Sequence, residues 1–156
     1  MKGLPLRYVV DAGVGVSLVI TGQFSNQAQA LFAHLTTNPP AQLYVPDLFY
    51  IECTNVLWKQ LRWAGYPTLQ ARGDLKNISA LALRNVSTAE LMVGAFEIAA
   101  AHNISAYDAC YVALSQQVRA PLITADAKLV RTLAQTHYKV EWLGALNIPP
   151  LPDAQK

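Results

Sequence analysis

Charge is what this sequence has least of. Only 14% of its 156 residues are Asp, Glu, Lys or Arg, and residues 12–46 contain none of the four; about 25% is usual for a soluble domain. Because 53% of the residues are hydrophobic, a membrane-spanning chain is the first class to consider. The apolar runs are too short for it. Residues 6–10 stop at Asp11, and residues 12–20 are interrupted by Gly13, Gly15 and Ser17, whereas a span needs about 18 unbroken apolar residues. A lone Lys2 and the early Asp11 also break the pattern of a signal peptide, so a soluble cytoplasmic protein is expected. Cysteine and histidine are sparse as well. Cys53 and Cys110 lie far apart in apolar helical patterns, no C-x-x-C occurs, and His34, His102 and His137 lack the spacing of metal ligands. Buried free thiols are expected, not a disulfide or a zinc site.

The net charge of +2 with a pI near 8.6 is too mild to announce a polyanionic partner. Its distribution says more. Over residues 59–84, five cations (Lys59, Arg62, Arg72, Lys76 and Arg84) face one acid, Asp74, a local balance of +4. Two solvated helix faces explain this; a patch facing a polyanion or a protein partner is the alternative.

Along the chain, β-rich apolar runs alternate with helical patterns. Strands are predicted over residues 6–10, 42–45, 85–87, 122–124 and 138–142. Between them, helical stripes are read at residues 25–35, from Asp47 as a cap to about Arg62, from Thr68 through Ile78, Leu81 and Leu83, at 88–101, from Ser105 to Val118 and at 127–135. The alternation implies a three-layer α/β fold with a mainly parallel sheet, in one domain over residues 1–147. Residues 148–156 form a Pro-rich tail, a strap or a disordered end. In such sheets ligands bind beyond the carboxyl ends of the strands.

Four of the ten acids occupy positions where an acid is costly or unexpectedly placed. Asp11 ends the first strand; Glu52 sits among apolar residues, on one helical stripe with Asn55 and Lys59; Asp108 opens a helix; Asp126 follows the strand at 122–124. Each has a structural explanation of its own. Ser105 and Asp108 fit a capping box, Asp11 and Asp126 fit helix caps, and Glu52 fits an exposed helix position. Together they suggest more, because two strand ends and two helix starts converge on one sheet edge. Four carboxylates there repel one another unless a cation is present. Oxygen donors without His or Cys select Mg²⁺ or Mn²⁺, which can clamp a phosphodiester and activate water.

Four blocks carry a family resemblance: Val9-Val-Asp-Ala12, Pro46-Asp-Leu-Phe-Tyr-Ile-Glu-Cys-Thr-Asn-Val-Leu57, Tyr107-Asp-Ala-Cys-Tyr-Val-Ala-Leu114 and Leu122-Ile-Thr-Ala-Asp-Ala-Lys-Leu129. In this order they resemble the signatures of PIN-domain ribonucleases, most of all the VapC toxins of toxin–antitoxin pairs. The resemblance implies an α/β/α fold with sheet order 3-2-1-4-5. It also implies a Mg²⁺- or Mn²⁺-dependent endoribonuclease that cuts single-stranded RNA to a 5′-phosphate product, homodimerises and is held by a cognate antitoxin. Asp11, Glu52, Asp108 and Asp126 match the metal-binding acids of the family, Thr124 its supporting hydroxyl and Asn55 the amide one turn after the glutamate. Lys59, Arg62, Arg72 and Lys76 become candidate RNA or antitoxin contacts. Departures are Gly13 where Ser or Asn is frequent, Ser17 where Lys is common, and Lys128 where some members carry a further acid. They leave open one metal or two. Phe49, Tyr50, Trp58 and Trp63 are expected in the core, with a dimer or antitoxin surface as the alternative. Two other readings remain: a non-catalytic module of the same fold that binds RNA or protein, and a haloacid-type phosphatase, for which Asp11-Ala-Gly13 lacks the usual D-x-D.

Overall fold

A computed structural model describes residues 3–152. Five strands, β1 (Arg7–Val10), β2 (Gln42–Pro46), β3 (Arg84–Val86), β4 (Leu122–Thr124) and β5 (Val140–Trp142), form one sheet in the order β3-β2-β1-β4-β5, with every pairing parallel. Seven helices connect them: α1 (Ala12–Ser17), α2 (Ser25–Ala33), α3 (Leu48–Ala64), α4 (Thr68–Ser79), α5 (Thr88–His102), α6 (Ala106–Val118) and α7 (Ala127–Leu133). The strand order first runs outward from β1 to β3 and then jumps back to β4. Right-handed crossovers therefore put α1 to α4 on one face and α5 to α7 on the other. This is the three-layer α/β/α arrangement with sheet order 3-2-1-4-5 that the sequence resemblance implied.

The central strands read as continuous apolar runs because both of their faces are covered. Val9, Val10, Leu43, Val45, Leu122 and Ile123 are wholly buried. Packing on the α3 side requires Gly15, since a Cβ there would lie 2.6 Å from the Phe49 ring. The strip without charge, residues 12–46, builds α1, α2 and β2 and supplies Val14, Leu31, Leu43 and Val45 to the core. No helix among the described residues is long and apolar enough to cross a membrane.

Several expectations shift in detail. Helix α4 ends at Ser79, with Ala80 as its C-cap, so Leu81 and Leu83 belong to the turn into β3 rather than to the helix. Asp47 occupies the N-cap position of α3 but makes no cap bond, because its backbone is already helical. Its carboxylate instead accepts the Thr88 N–H at 3.0 Å, tying the start of α3 to that of α5. The aromatic residues of α3 separate by position: Phe49 is buried and Tyr50 half-buried, whereas Trp58 and Trp63 are exposed. Trp58 and Trp63 were expected in the core; the helix turns them away from the Phe49, Cys53 and Leu57 stripe that packs inward. Of the tail, Pro149 accepts a 2.8 Å hydrogen bond from the buried His34 ring through its carbonyl; residues 153–156 lie outside the described residues.

Candidate active site

The strand order reverses between β1 and β4, and two of the four acids stand directly beyond these two strands. Asp11 leaves β1 in extended conformation and caps α1, its Oδ1 accepting the Val14 N–H at 3.0 Å. Asp126 leaves β4 by way of Ala125 and caps α7, its Oδ1 accepting from the N–H groups of Lys128 and Leu129. Asp108 lies in the first turn of α6, where Ser105 Oγ accepts its N–H at 3.1 Å. The capping explanations hold in full for Asp11 and Asp126 and in half for the Ser105–Asp108 box, where Ser105 caps but the Asp108 carboxyl returns no bond to the backbone. They do not compete with a site, because Asp11 and Asp126 cap their helices while standing beyond the carboxyl ends of β1 and β4.

Glu52 reaches that edge from α3, on the opposite face of the sheet from α6. Its Oε1 accepts a 2.7 Å hydrogen bond from the hydroxyl of Tyr111, a residue only 2% exposed. Glu52 is therefore not the free surface residue that its structural explanation required. Tyr111 was absent from the sequence-derived residue set. Its one signal was a polar ring atom in an otherwise apolar helix stripe, a position where a buried hydroxyl needs a partner.

Electrostatics shows that the acids sit together. Burial pushes the Asp11 carboxyl up to about 6, against hydrogen bonds from Thr124 and Val14, and the charges of Asp108 and Glu52 add to the rise. Glu52 is raised by burial and by Asp108, with Tyr111 opposing. Asp108 is raised by burial and by Asp126. No cation is among the groups that shift Asp11, Glu52 or Asp108. Thr124, wholly buried, serves two acids: it hydrogen-bonds Asp11 and its Oγ1 accepts the Asp126 N–H at 3.0 Å. Burial also pushes the thiols of Cys53 and Cys110 up, to about 12 and about 11, so both free cysteines are inert protonated groups beside the site.

The other candidates are not in this cluster. Asn55 is exposed one turn beyond Glu52, and Lys59, Arg62, Arg72 and Lys76 are exposed on α3 and α4. Gly13 leaves ordinary space for a side chain, a Cβ meeting Asp11 Oδ1 at 3.4 Å; sterics do not demand glycine there. Lys128 is exposed and lends Asp126 its backbone N–H.

The donor set fits a hard divalent cation. Among the described residues no group of three or more His, Cys, Asp or Glu side chains is placed to hold a metal ion by itself; Mg²⁺ keeps several waters and takes only one or two carboxylates plus substrate oxygens. The acids lie outside two clefts of about 370 Å³, one between α5 and α6 and one at the end of α6. An open edge of this kind suits a polymer laid across it more than an enclosed small molecule.

Comparison with known proteins agrees with this geometry. Residues 8–133 match the PIN domain family. Ribonuclease VapC3 of Pyrobaculum aerophilum is 31% identical over 126 residues, covering 80% of this chain and 92% of that protein. Among solved structures, PAE2754 from Pyrobaculum aerophilum superposes with a TM-score of 0.63 at 21% identity, covering 88% of this chain and 84% of that one. VapBC2 from Rickettsia felis, bound to a DNA fragment from its promoter, gives 0.64 at 12% identity, covering 88% and 98%. The haloacid-phosphatase reading falls with these matches. With its sheet order, its four acids at the switch point and a VapC ribonuclease among its relatives, the chain belongs to the PIN-domain family.

Proposed function

We propose that this protein is a divalent-metal-dependent endoribonuclease that cleaves single-stranded RNA and acts as the toxin of a toxin–antitoxin pair. The observation that carries the reading is the uncompensated cluster of Asp11, Glu52, Asp108 and Asp126, with Asp11 driven to about 6. Folding such a cluster is costly without a cation, and a relative 31% identical is named a ribonuclease.

Asp11, Glu52, Asp108 and Asp126 would hold Mg²⁺ or Mn²⁺. When bound, the ion supplies Lewis acidity toward the phosphodiester and makes water a better nucleophile near neutral pH. The chain's own groups prepare for this. Tyr111 holds Glu52 Oε1, so the carboxylate keeps one orientation and its other oxygen is presented. Thr124 fixes Asp11 and Asp126 relative to each other. Asp11 gives up a proton from a carboxyl poised near 6, so the site is ready for a cation above that pH.

The homodimer and the antitoxin belong to the same proposal. Uncovered apolar side chains support them: Ile51, Trp58 and Leu61 on α3, and Met92, Val93 and Phe96 on α5 are 36–72% exposed, more than an isolated monomer leaves bare without use. Retention of the four acids favours catalysis over a module that only binds.

Purified protein incubated with single-stranded RNA and Mg²⁺ or Mn²⁺ should cleave it, and EDTA, Asp11→Asn and Asp108→Asn should each abolish cleavage. Activity that survives EDTA, or survives both substitutions, would refute the proposal.

A further inference from the structure

Helix α3 leaves the carboxylate edge carrying more than Glu52. At 3.6 residues per turn, Glu52, Asn55, Lys59 and Trp63 fall along one stripe, with Arg62 beside it. A rise of about 1.5 Å per residue puts Lys59 about 10 Å and Trp63 about 16 Å along the axis from Glu52. Trp63 is 73% exposed, and the Arg62 guanidinium lies 5.3 Å from its ring centroid. One indole face is thus lined by a cation while the ring remains largely in water.

The arm that holds this residue is built rather than loose. Gly65, at a φ of 68, closes α3 in the left-handed conformation, and α4 returns with Ala71 and Ile78 buried. The one acid of residues 59–84, Asp74, receives the hydroxyl of Tyr66. Its nearest service is therefore to the turn, and the cations of the arm keep their positive field. A second exposed row on α3, Ile51, Thr54, Trp58 and Leu61, carries no charge at all and adjoins the first where Trp58 stands one turn before Arg62.

We propose that the row Lys59, Arg62 and Trp63 is the track for the RNA strand that leaves the site. Lys59 and Arg62 neutralise its phosphates, and Trp63 stacks a base a few nucleotides from the phosphodiester held at the carboxylates. The inference rests on the ribonuclease reading and adds a substrate contact to it. Two observations favour RNA over a protein partner here: the row is continuous with the acid cluster, and its charge is complementary to a polyanion. Base stacking on an exposed aromatic beside an electrostatic groove is the general mode of single-strand binding.

The test uses the non-cleaving Asp11→Asn protein and a labelled single-stranded RNA of about 12 nucleotides, a length within the usual range of single-strand sites. Trp63→Ala should weaken binding about 5- to 150-fold, the range that stacking of one base covers. Trp63→Phe should restore most of that affinity while removing the RNA-induced quenching of indole emission. Lys59→Gln and Arg62→Gln should each lower the slope of log affinity against log salt by about 0.7. Thermal melts of Trp63→Ala should match the parent, because the ring packs on little. Unchanged affinity in Trp63→Ala overturns the track, as does failure of the parent to bind RNA. RNA binding that depends on Trp63 in a protein whose unmutated form never cuts RNA with Mn²⁺ would uphold the track and reject the nuclease. Loss of protein association with RNA affinity intact would hand the row to a protein partner and overturn the proposal.

Discussion

The carboxylate edge and the α3–α4 arm share one helix, yet they are loaded in opposite ways. At the edge, acids come from four elements: Asp11, Glu52 and Asp108 are half-buried and raised first by burial and then by neighbouring carboxylates, while Asp126 stays exposed. On the arm, cations and indoles stand in water, and the single acid is engaged by Tyr66. Neither arrangement is what stability alone would select. Carboxylates at a crowded edge are disfavoured when charged, and exposed indoles return no burial energy. On the proposed function, the difference between them is the kind of ligand each awaits: a small hard cation at the edge, an extended polyanion along the arm. Helix α3 joins the two, so a strand that reaches one is delivered to the other.

The largest effect should come from removing the strain at the edge. Asp11 titrates near 6 in the folded chain against 3.8 in the reference state. Its contribution is fully present below about 3.8 and is lost as pH rises through about 6, because the folded state binds the proton more tightly there. The rise corresponds to about 3 kcal/mol at neutral pH. Metal-free protein should therefore melt at a lower temperature at pH 7 than at pH 5 by the share due to Asp11. Mg²⁺ or Mn²⁺ should restore the loss at pH 7 and do little at pH 5. Asp11→Asn keeps the oxygen that caps α1, so it should flatten the pH dependence and abolish the stabilisation by metal. Differential scanning calorimetry across pH, with and without metal, checks this; equal metal stabilisation in Asp11→Asn would break the contrast between the two regions.

Much of this contrast was legible in the sequence, for reasons that differ by residue. Asp11 and Asp126 end apolar runs, and a parallel sheet puts such residues at one edge whatever the helix details. Asp108 stood out because it is the sole charge between Glu97 and Arg119. Tyr111 did not, because a Tyr in an apolar stripe looks the same whether its hydroxyl meets water or a carboxylate 59 positions away in sequence. Trp58 and Trp63 were misplaced in the core for a related reason. Hydrophobicity predicts burial of large aromatics, and only the angular position on a 17-residue helix decides which of them turn outward.

A smaller effect is expected from Tyr111→Phe. The substitution keeps the ring in its buried slot and removes one donor to Glu52 Oε1. Groups that orient a metal-binding residue from behind usually account for about 10- to 100-fold in metal affinity or activity. The variant should therefore bind Mn²⁺ and cut RNA less well by about that factor, while binding RNA in the Asp11→Asn background as the parent does. Titration of activity against Mn²⁺ separates the two, since excess metal should recover much of the loss. A Tyr111→Phe protein with unchanged metal dependence would show that Glu52 is oriented by α3 alone.

The smallest effect tests the uncharged row of α3. Trp58 is 52% exposed, so Trp58→Ser removes little buried area and should change stability by no more than about 0.5 kcal/mol, as exposed substitutions usually do. Its consequence should appear in association instead. If Ile51, Trp58 and Leu61 face a second copy or an antitoxin, the serine variant should sediment as a lighter species at a concentration where the parent self-associates, or bind its antitoxin more weakly. It should leave RNA affinity where it was. A Trp58→Ser protein that binds RNA as poorly as Trp63→Ala would merge the two rows into one surface, and the division of α3 into a partner side and a strand side would be lost.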